Sequence, residues 1–155
     1  NKITFSRIGY NFRMSDILAA IGIVQLKKIK RIIKRRQKLA KKYYELLKDE
    51  NEIILPKTIP DSNHTFQSYT IIIKKENIRD RVMYELRKKG IETQIGTYYV
   101  PALPSYKSMG FKDRFPNAKK AFENSLILPL YDSLREEDIE YVASCLKKAI
   151  KKFGG

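Results

Sequence analysis

The chain has 155 residues, of which 43% are hydrophobic, so it can bury a core, and this composition argues against global disorder. Its 32 Lys and Arg residues outnumber 17 Asp and Glu residues, and a net charge of +15 attracts polyanions. The length of the apolar runs excludes a membrane span, nothing resembles a signal peptide, and one Cys and one His exclude an internal disulfide and a zinc site built within one chain. We therefore expect one cytoplasmic domain, or a small domain with an arm.

An apolar arm precedes the first predicted helix. Phe5, Tyr10, Phe12 and Met14 all fall within residues 1–15. The beginning of a chain is usually polar and frayed, so apolar side chains at this density need a surface to pack on. That surface lies either later in the chain or outside it.

A long amphipathic helix is predicted next. Ser15 is a suitable N-cap, and Asp16 faces the positive end of the helix dipole. Apolar residues then recur close to helical spacing, which indicates one helix over 16–49, or two helices with a bend near Lys30. Residues 27–49 hold eleven Lys or Arg against two acidic residues, and most of that charge is predicted on the solvated face.

Residues 50–155 are predicted to alternate strands with helices. Strands are expected from FQSYTIIIKK, from ETQIGTYYV and from LILPL, which are rich in β-branched, aromatic or aliphatic residues. Asn77 is predicted to cap a helix that ends at Gly90. Pro116 is expected to begin a short helix through Asn124. Ser133 and Glu136 are predicted to form the capping box of the last helix.

This element order predicts a fold of the α+β class. A right-handed crossover makes the first two strands parallel, and the third, most apolar strand can then lie between them. Every neighbouring pair becomes antiparallel. We expect a two-layer small domain with a three-stranded antiparallel sheet and helices on one face, and Pro129 just beyond the paired part of the third strand.

Few residues could carry chemistry by themselves. His64 is the sole imidazole, in a loop, and a lone loop histidine without a carboxylate neighbour is more often incidental than catalytic. Cys145 falls near the apolar stripe of the last helix, where packing is the expected role. Tyr98, Tyr99 and Tyr106 surround two prolines and form either a packed loop or a binding edge. No Gly-rich phosphate loop and no cluster of metal ligands is present in the sequence.

Six blocks of the sequence occur in one order that is also found in an enzyme family. They are GYNFRMSD at 9–16, AAIGIVQL at 19–26, the arginine pair at 35–36, HTFQSY at 64–69, KGIETQIGTY at 89–98, and FPNA with SLILPL within 115–130. Together they resemble the sugar-nucleotide aminotransferases of the DegT/StrS group, which are fold-type-I pyridoxal-phosphate enzymes. The resemblance covers nearly the whole chain.

The resemblance implies that this chain is the C-terminal part of such an enzyme. Family members are about twice as long or longer, and their N-terminal large domain carries the lysine that forms the Schiff base. None of the lysines here aligns with that lysine. The resemblance therefore implies that this chain needs a missing N-terminal domain or chain as a partner, and that the complete enzyme is a homodimer. It also implies that the isolated chain does not bind pyridoxal 5'-phosphate firmly and has no catalytic activity. In the complete enzyme, glutamate's amino group would pass to a nucleotide-linked keto sugar, with no specific nucleic acid and no membrane involved.

Site residues follow from the same resemblance. Asn11 is expected to reach across the dimer interface to the cofactor phosphate, and Arg13 to contact an anion or the interface. Tyr98, Tyr99 and His64 are expected on the substrate side. No catalytic residue and no metal ligand is assigned. The sequence departs from the family at 101–103, where Pro-Ala-Leu replaces a His-x-Gln pattern, and this leaves the contacts to the sugar open.

Two other functions remain possible from the residues alone. The basic run over 27–49 could belong to a nucleic-acid-binding module, although it matches no known reading motif. The chain could also be an interaction protein, a former enzyme half retained for dimerisation. Tight, sequence-selective binding to duplex DNA would favour the first of these, whereas weak binding that salt abolishes follows from a charge of +15 alone.

Overall fold

The computed structural model of the chain describes residue 10, residues 12–110 and residues 114–154. Five α-helices and four short strands occur in these residues. In chain order they are α1 (Asp16–Leu47), β1 (Ile53–Ile54), β2 (Tyr69–Ile73), α2 (Arg79–Lys88), β3 (Gln94–Ile95), a 3₁₀ turn (Val100–Ala102), α3 (Pro104–Ser108), α4 (Pro116–Asn124), β4 (Ser125–Leu128) and α5 (Glu136–Gly154).

Helix α1 is one uninterrupted helix of 32 residues, so of the two predicted forms the bent pair is wrong. The Ser15 side chain accepts a hydrogen bond from the backbone N–H of Leu18 (3.4 Å), which confirms the predicted N-cap. Only the second half of α1 enters the core, through Leu39, Ala40, Tyr43 and Leu47. The first half of the helix therefore leaves the body of the domain.

The sheet has four strands, in the order β1-β2-β4-β3, and every pair is antiparallel. As predicted, β4 lies between the two strands that precede it, with Tyr69 opposite Leu128 and Gln94 opposite Ile127. Pairing ends at Leu128, one residue before Pro129, which has no backbone N–H to donate to a neighbouring strand.

The prediction of three strands was wrong. The missed strand is β1, in which Ile53 pairs with Ile73 at the edge of the sheet. A two-residue strand is too short to show an alternating pattern, and Pro56 stops it soon after it begins. The sequence therefore predicted no strand between the first helix and FQSYTIIIKK.

The core lies on one face of the sheet. Alternate residues of β2 (Tyr69, Ile71 and Ile73) are buried there with Leu126 and Leu128 of β4, under side chains of α1, α2 and α5. Because the side-chain period of a strand is two, the residues between them point to the opposite face.

Helix α4 departs from the predicted arrangement of all helices on one face. Its Ala121 lines a groove of about 200 Å³ together with Thr70 and Ile72, which point away from the core. The reason is connectivity, since α4 ends at Asn124 and β4 begins at Ser125. A helix that runs into the central strand without a loop cannot cross to the far layer.

The ends of two helices also differ from prediction. Asn77 does not cap α2, because it has φ +62° and the cap position is Ile78, without a side-chain hydrogen bond. In α5 the reciprocal contact is made by Asp138, which accepts a hydrogen bond from the backbone N–H of Arg135 (3.3 Å), and not by the predicted Ser133 and Glu136. The short polar residues therefore predicted both helices correctly but placed the cap of each helix at the wrong residue.

Two other predicted helix ends are confirmed. Gly90 has φ +74°, and the backbone N–H of Ile91 donates to the carbonyl of Leu86 (3.0 Å), which closes α2 as expected. Helix α4 begins at Pro116. Within the part of the chain that the structure describes, no helix has the length and apolarity that crossing a bilayer requires.

The large apolar side chains of the arm that the structure describes do not pack on the rest of the domain. Phe5 lies outside the described residues, but Tyr10 and Phe12 are 87% and 88% exposed, and Met14 is 67% exposed. Tyr10 and Phe12 contact each other, with ring centroids 5.8 Å apart. The described part of the chain therefore does not supply the surface that these side chains need.

Candidate functional site

Two loops are fixed to the same turn of α1 by one arginine. Nη1 of Arg36 donates to the carbonyl oxygens of Phe66 (3.1 Å), Gln67 (2.7 Å) and Leu130 (3.1 Å). The guanidinium group suits this task because its donors are planar and permanently charged. The loop that enters β2 and the loop that leaves β4 are thereby held together at one end of the sheet.

The neighbouring residues of α1 extend this attachment. Arg35 donates from Nη2 to the carbonyl of Leu134 (2.8 Å), and the hydroxyl of Tyr43 donates to the carbonyl of Pro129 (2.9 Å). Burial raises the pKa of Tyr43 well above the ordinary tyrosine value, which keeps this hydroxyl a donor. The sequence analysis identified the arginine pair but not its role. The signal that could have indicated this role is the position of the two arginines, one turn before the buried part of an amphipathic helix.

His64 is an exposed residue on the first of these loops. Its Nδ1 accepts a hydrogen bond from the backbone N–H of Phe66 (3.0 Å), and the two rings lie 4.3 Å apart. An Nδ1 that accepts places the proton of the neutral ring on Nε2. Gln37 holds the loop further by donating to the carbonyl of His64 (3.0 Å). No described carboxylate hydrogen-bonds His64.

A groove of about 860 Å³ opens beside these loops. It lies between the start of β2, the start of β3, the end of β4 and the first turns of α5. Its polar lining consists of Gln67, Ser68, Glu92, Thr93, Gln94, Tyr131, Asp138 and Tyr141. Among the described residues, no lysine or arginine lines it, in a chain of net charge +15. Because the lining holds two carboxylates and no described cation, the groove is unsuited to a phosphate.

The predicted substrate-side tyrosines lie in different environments. Tyr98 is 69% exposed, whereas Tyr99 is 5% exposed. Neither they nor His64 line the 860 Å³ groove. The chain turns directly afterwards into the 3₁₀ turn, which contains two of the three residues that depart from the family pattern. Tyr98 is thus available to a ligand, while Tyr99 is a packing residue of the loop.

Gly96 sets the position of that tyrosine loop. A Cβ at this residue would lie 2.3 Å from Oγ of Ser125 and 2.7 Å from Cγ2 of Thr70. Its backbone N–H donates to the carbonyl of Ser125 (3.2 Å), so the chain continues beside β4 for one residue past β3. Only glycine permits this approach, and sequence reasoning had treated the residue merely as part of a motif.

The two residues predicted to contact the cofactor do not form a described site. Asn11 lies outside the described residues. Arg13 is exposed in the arm ahead of α1. The structure therefore places Arg13 apart from the domain core and leaves its predicted role, and that of Asn11, as predictions.

The described residues do not by themselves form a site for pyridoxal 5'-phosphate. A transaminase needs a lysine amine in an enclosed pocket, where the cofactor is held covalently. The described lysines are exposed apart from Lys42 and Lys147, which are half-buried and paired with Glu140 (2.6 Å) and Glu50 (3.1 Å). In the same part of the chain, no group of three or more potential metal ligands is close enough to hold an ion.

Comparison with known proteins identifies the family. Residues 1–147 match the DegT/DnrJ/EryC1/StrS aminotransferase family. The chain therefore belongs to this family of aminotransferases. This confirms the family that the six sequence blocks suggested.

Two curated relatives act on nucleotide sugars according to their names. The chain is 32% identical over 144 residues to dTDP-4-dehydro-2,3,6-trideoxy-D-glucose 4-aminotransferase of Saccharopolyspora spinosa, covering 93% of this chain and 37% of that protein. It is 31% identical over 145 residues to GDP-perosamine synthase of Vibrio cholerae, covering 90% of this chain and 38% of that protein. The chain thus spans about two fifths of the length of these relatives.

Solved structures share the fold. The pyridoxal-phosphate form of the putative sugar aminotransferase Spr1654 from Streptococcus pneumoniae superposes with a TM-score of 0.84 at 26% identity, over 90% of this chain and 36% of that one. The aminotransferase TlmJ from Streptoalloteichus hindustanus gives a TM-score of 0.88 at 22% identity, over 99% and 41% of the two chains. The mixed α/β domain with an antiparallel sheet is therefore a fold found within larger aminotransferases.

Proposed function

We propose that this chain is the C-terminal part of a pyridoxal-phosphate-dependent aminotransferase that acts on nucleotide-linked keto sugars. The observation that carries the proposal is the family match over residues 1–147, in a chain that spans only about two fifths of its relatives. The remaining portion would supply the Schiff-base lysine, and glutamate is the proposed amino donor. The complete enzyme is proposed to be a cytoplasmic homodimer.

The exposed half of α1 supports a partner surface of this kind. A run of large apolar side chains there is between 41% and 75% exposed, and it continues the apolar arm. These residues are Ile17, Leu18, Ile21, Ile23, Val24, Leu26 and Ile29. Contiguous apolar surface of this extent is rare on a monomer and is typical of an interface. We propose that residues 1–15 and the first half of α1 pack on the N-terminal portion, while residues 50–155 form the small domain.

The proposed site combines the arm with the loops of the small domain. Asn11 and Arg13 would contact the cofactor phosphate, Asn11 across the dimer interface. His64 and Tyr98 would face the substrate, His64 through its Nε2–H and Tyr98 through its exposed hydroxyl. Tyr99 would hold the loop by packing, because it is buried.

The test is reconstitution. The purified chain should form no stoichiometric aldimine and transfer no amino group from glutamate to a keto sugar, and addition of the N-terminal portion, as a fused or separate chain, should restore both. In the restored enzyme Asn11→Ala should weaken cofactor retention by about 1.5–3 kcal/mol, the usual value of a hydrogen bond to a charged group. Asn51→Ala, in an exposed turn, is the matched control and should retain cofactor normally.

One result would overturn the assignment. Turnover by the isolated chain, abolished by changing one of its own lysines, would show that this chain carries the Schiff-base lysine itself. Faint yellow colour with added cofactor would not do so, because exposed lysines form weak imines with any aldehyde.

A further inference from the structure

The basic run on α1 is partly neutralised where it meets the domain. Arg31 pairs with Asp132 (3.1 Å), Lys38 with Glu136 (2.7 Å) and Lys42 with Glu140 (2.6 Å). These three ion pairs follow one another along α1 and along the segment that runs from Asp132 into the start of α5. The positive charge that looked most prominent in the sequence is thus opposed by an acidic stretch of the same chain.

A second basic surface lacks such an opposing stretch. Residues 74–89 contain seven Lys or Arg and three Asp or Glu, and residues 147–152 contain four lysines and no acid. Helix α2 packs against α5, so the two segments form one surface, which we call the α2–α5 basic face. Arg81 and Lys152 both lie over the ring of Phe153, at 5.4 Å and 5.2 Å, which ties the segments together.

Two of the three acidic residues of this face are engaged in ion pairs, and the third is the exposed Glu76. Glu85 contacts Lys152 (3.2 Å) and Lys88 (3.3 Å), and the hydrogen bond from Lys152 is the main reason that the pKa of Glu85 is lowered. Asp80 pairs with the buried Arg79 (2.6 Å). Across the described residues, no carboxylate lies within ion-pair distance of Lys148 or of three other exposed cations of the face. These are Arg87, Lys89 and Lys151.

Aromatic rings accompany the charges. A groove of about 250 Å³ runs between α2 and α5, lined by Lys89, Lys148 and Lys152, by the paired Glu85, and by Tyr141 at one side. Tyr141 is 50% exposed, and Tyr84, on α2 outside the groove, is 60% exposed with Nζ of Lys88 4.3 Å from its ring centroid. Lysines beside partly exposed rings suit a flexible polyphosphate chain whose bases can stack on the open ring faces.

We propose that the α2–α5 basic face binds single-stranded nucleic acid through its phosphates, without reading the sequence. An anionic membrane fits less well, because the large exposed side chains of the face are tyrosines and no exposed aliphatic residue is available to insert. An acidic protein would need an apolar interface core, which the face also lacks. This activity is separate from the proposed transamination and involves none of its proposed site residues.

The test is fluorescence anisotropy of a labelled 20-nucleotide homopolymer with the full chain, in a series of salt concentrations. Lys148→Gln combined with Lys151→Gln should weaken binding and lower the slope of log affinity against log salt by about 1.4, because each lost phosphate contact removes about 0.7. The matched control is Lys27→Gln combined with Lys28→Gln, which removes the same charge from exposed positions of α1 and should leave the slope unchanged.

A second pair of variants tests stacking. Tyr84→Ala should weaken binding roughly 5- to 150-fold, the range for loss of one stacked base, and Tyr44→Ala on α1 should have little effect. Thermal unfolding of each variant checks that the fold is kept. Equal losses in the two lysine pairs would show that net charge alone attracts the nucleic acid and would overturn the proposal. The absence of binding at low salt, or tighter binding to a duplex of the same length, would also overturn it.

Discussion

Gly96 is the residue whose substitution should be most informative about packing. In Gly96→Ala the new methyl group would meet the side chains of Ser125 and Thr70 at 2.3–2.7 Å, and both neighbours belong to the central strands. Overpacking of this kind usually costs about 1–3 kcal/mol. We expect Gly96→Ala to lower the free energy of unfolding by that amount, measured by urea denaturation.

Gly22 provides the control for the same change. Apart from the adjacent backbone of its own helix, no described atom lies within 4 Å of the position that its Cβ would occupy, and the residue is inside α1. Alanine is a better helix former than glycine by roughly 1 kcal/mol, so Gly22→Ala should leave stability unchanged or raise it. If both substitutions had the same effect, the close approach of Gly96 to β4 would be contradicted.

Among the elements, the ion pairs between α1 and α5 should give stability a defined pH dependence. The hydrogen bond from Lys38 is the main cause of the lowered pKa of Glu136. A carboxyl group whose pKa is lowered by folding stabilises the folded state above its unfolded pKa of about 4.3, and that contribution is lost as the pH falls through the folded value. The difference in Tm between the natural chain and Lys38→Met should therefore be constant from pH 5 to 8 and shrink below about pH 4.

The matched variant is Lys27→Met, which removes a lysine of α1 that pairs with no described carboxylate. Its Tm should follow that of the natural chain at every pH. The effect of Lys38→Met will be small, because exposed ion pairs contribute little. A difference that persisted unchanged to pH 3 would mean that the lysine acts through packing of its methylene groups.

The elements with strong sequence patterns were predicted well. Ser15, Gly90 and Pro116 mark helix ends through their own backbone preferences, so they act without help from the rest of the fold. The central position of β4 followed from connection rules and apolar content. By contrast, β1 exists because Ile73 offers it an edge to pair with, and a partner distant in sequence leaves no local pattern.

The candidate site was less accessible to sequence reasoning. The carbonyl oxygens that bind Arg36 belong to the backbone, and no residue type reports that a backbone oxygen will lie there. Likewise, Tyr98 and Tyr99 are the same residue type in adjacent positions, and only the turn of the chain decides which of them is exposed. Asn11 was assigned by resemblance alone and remains a prediction.

For the molecule as a whole, the exposed half of α1 predicts that stability and assembly can be separated. Ile21→Ser combined with Leu26→Ser should leave the Tm of the isolated chain nearly unchanged, because the two side chains are 54% and 69% exposed. The same variant should lose its binding to the proposed N-terminal portion, measured by calorimetry. The control is Leu39→Ser, which buries a hydroxyl in the core and should unfold the chain.

Two outcomes would contradict this prediction. A fall in Tm as large as that of Leu39→Ser would mean that the first half of α1 packs on its own domain in solution. Unchanged binding of the double variant to the N-terminal portion would mean that the partner surface lies elsewhere on the chain.

The strand order has a consequence for how the protein is made. During synthesis β1, β2 and β3 leave the ribosome before β4, yet β4 is the strand that joins β2 to β3. Until β4 emerges, β2 lacks its central pairing partner, and α5 does not yet cover the core face of β2. The nascent chain therefore exposes apolar strand edges. Such edges can pair with other chains and lead to aggregation. The domain can therefore close only once α5 has been released, and a ribosome that stalled before Ser125 would hold a chain that cannot fold.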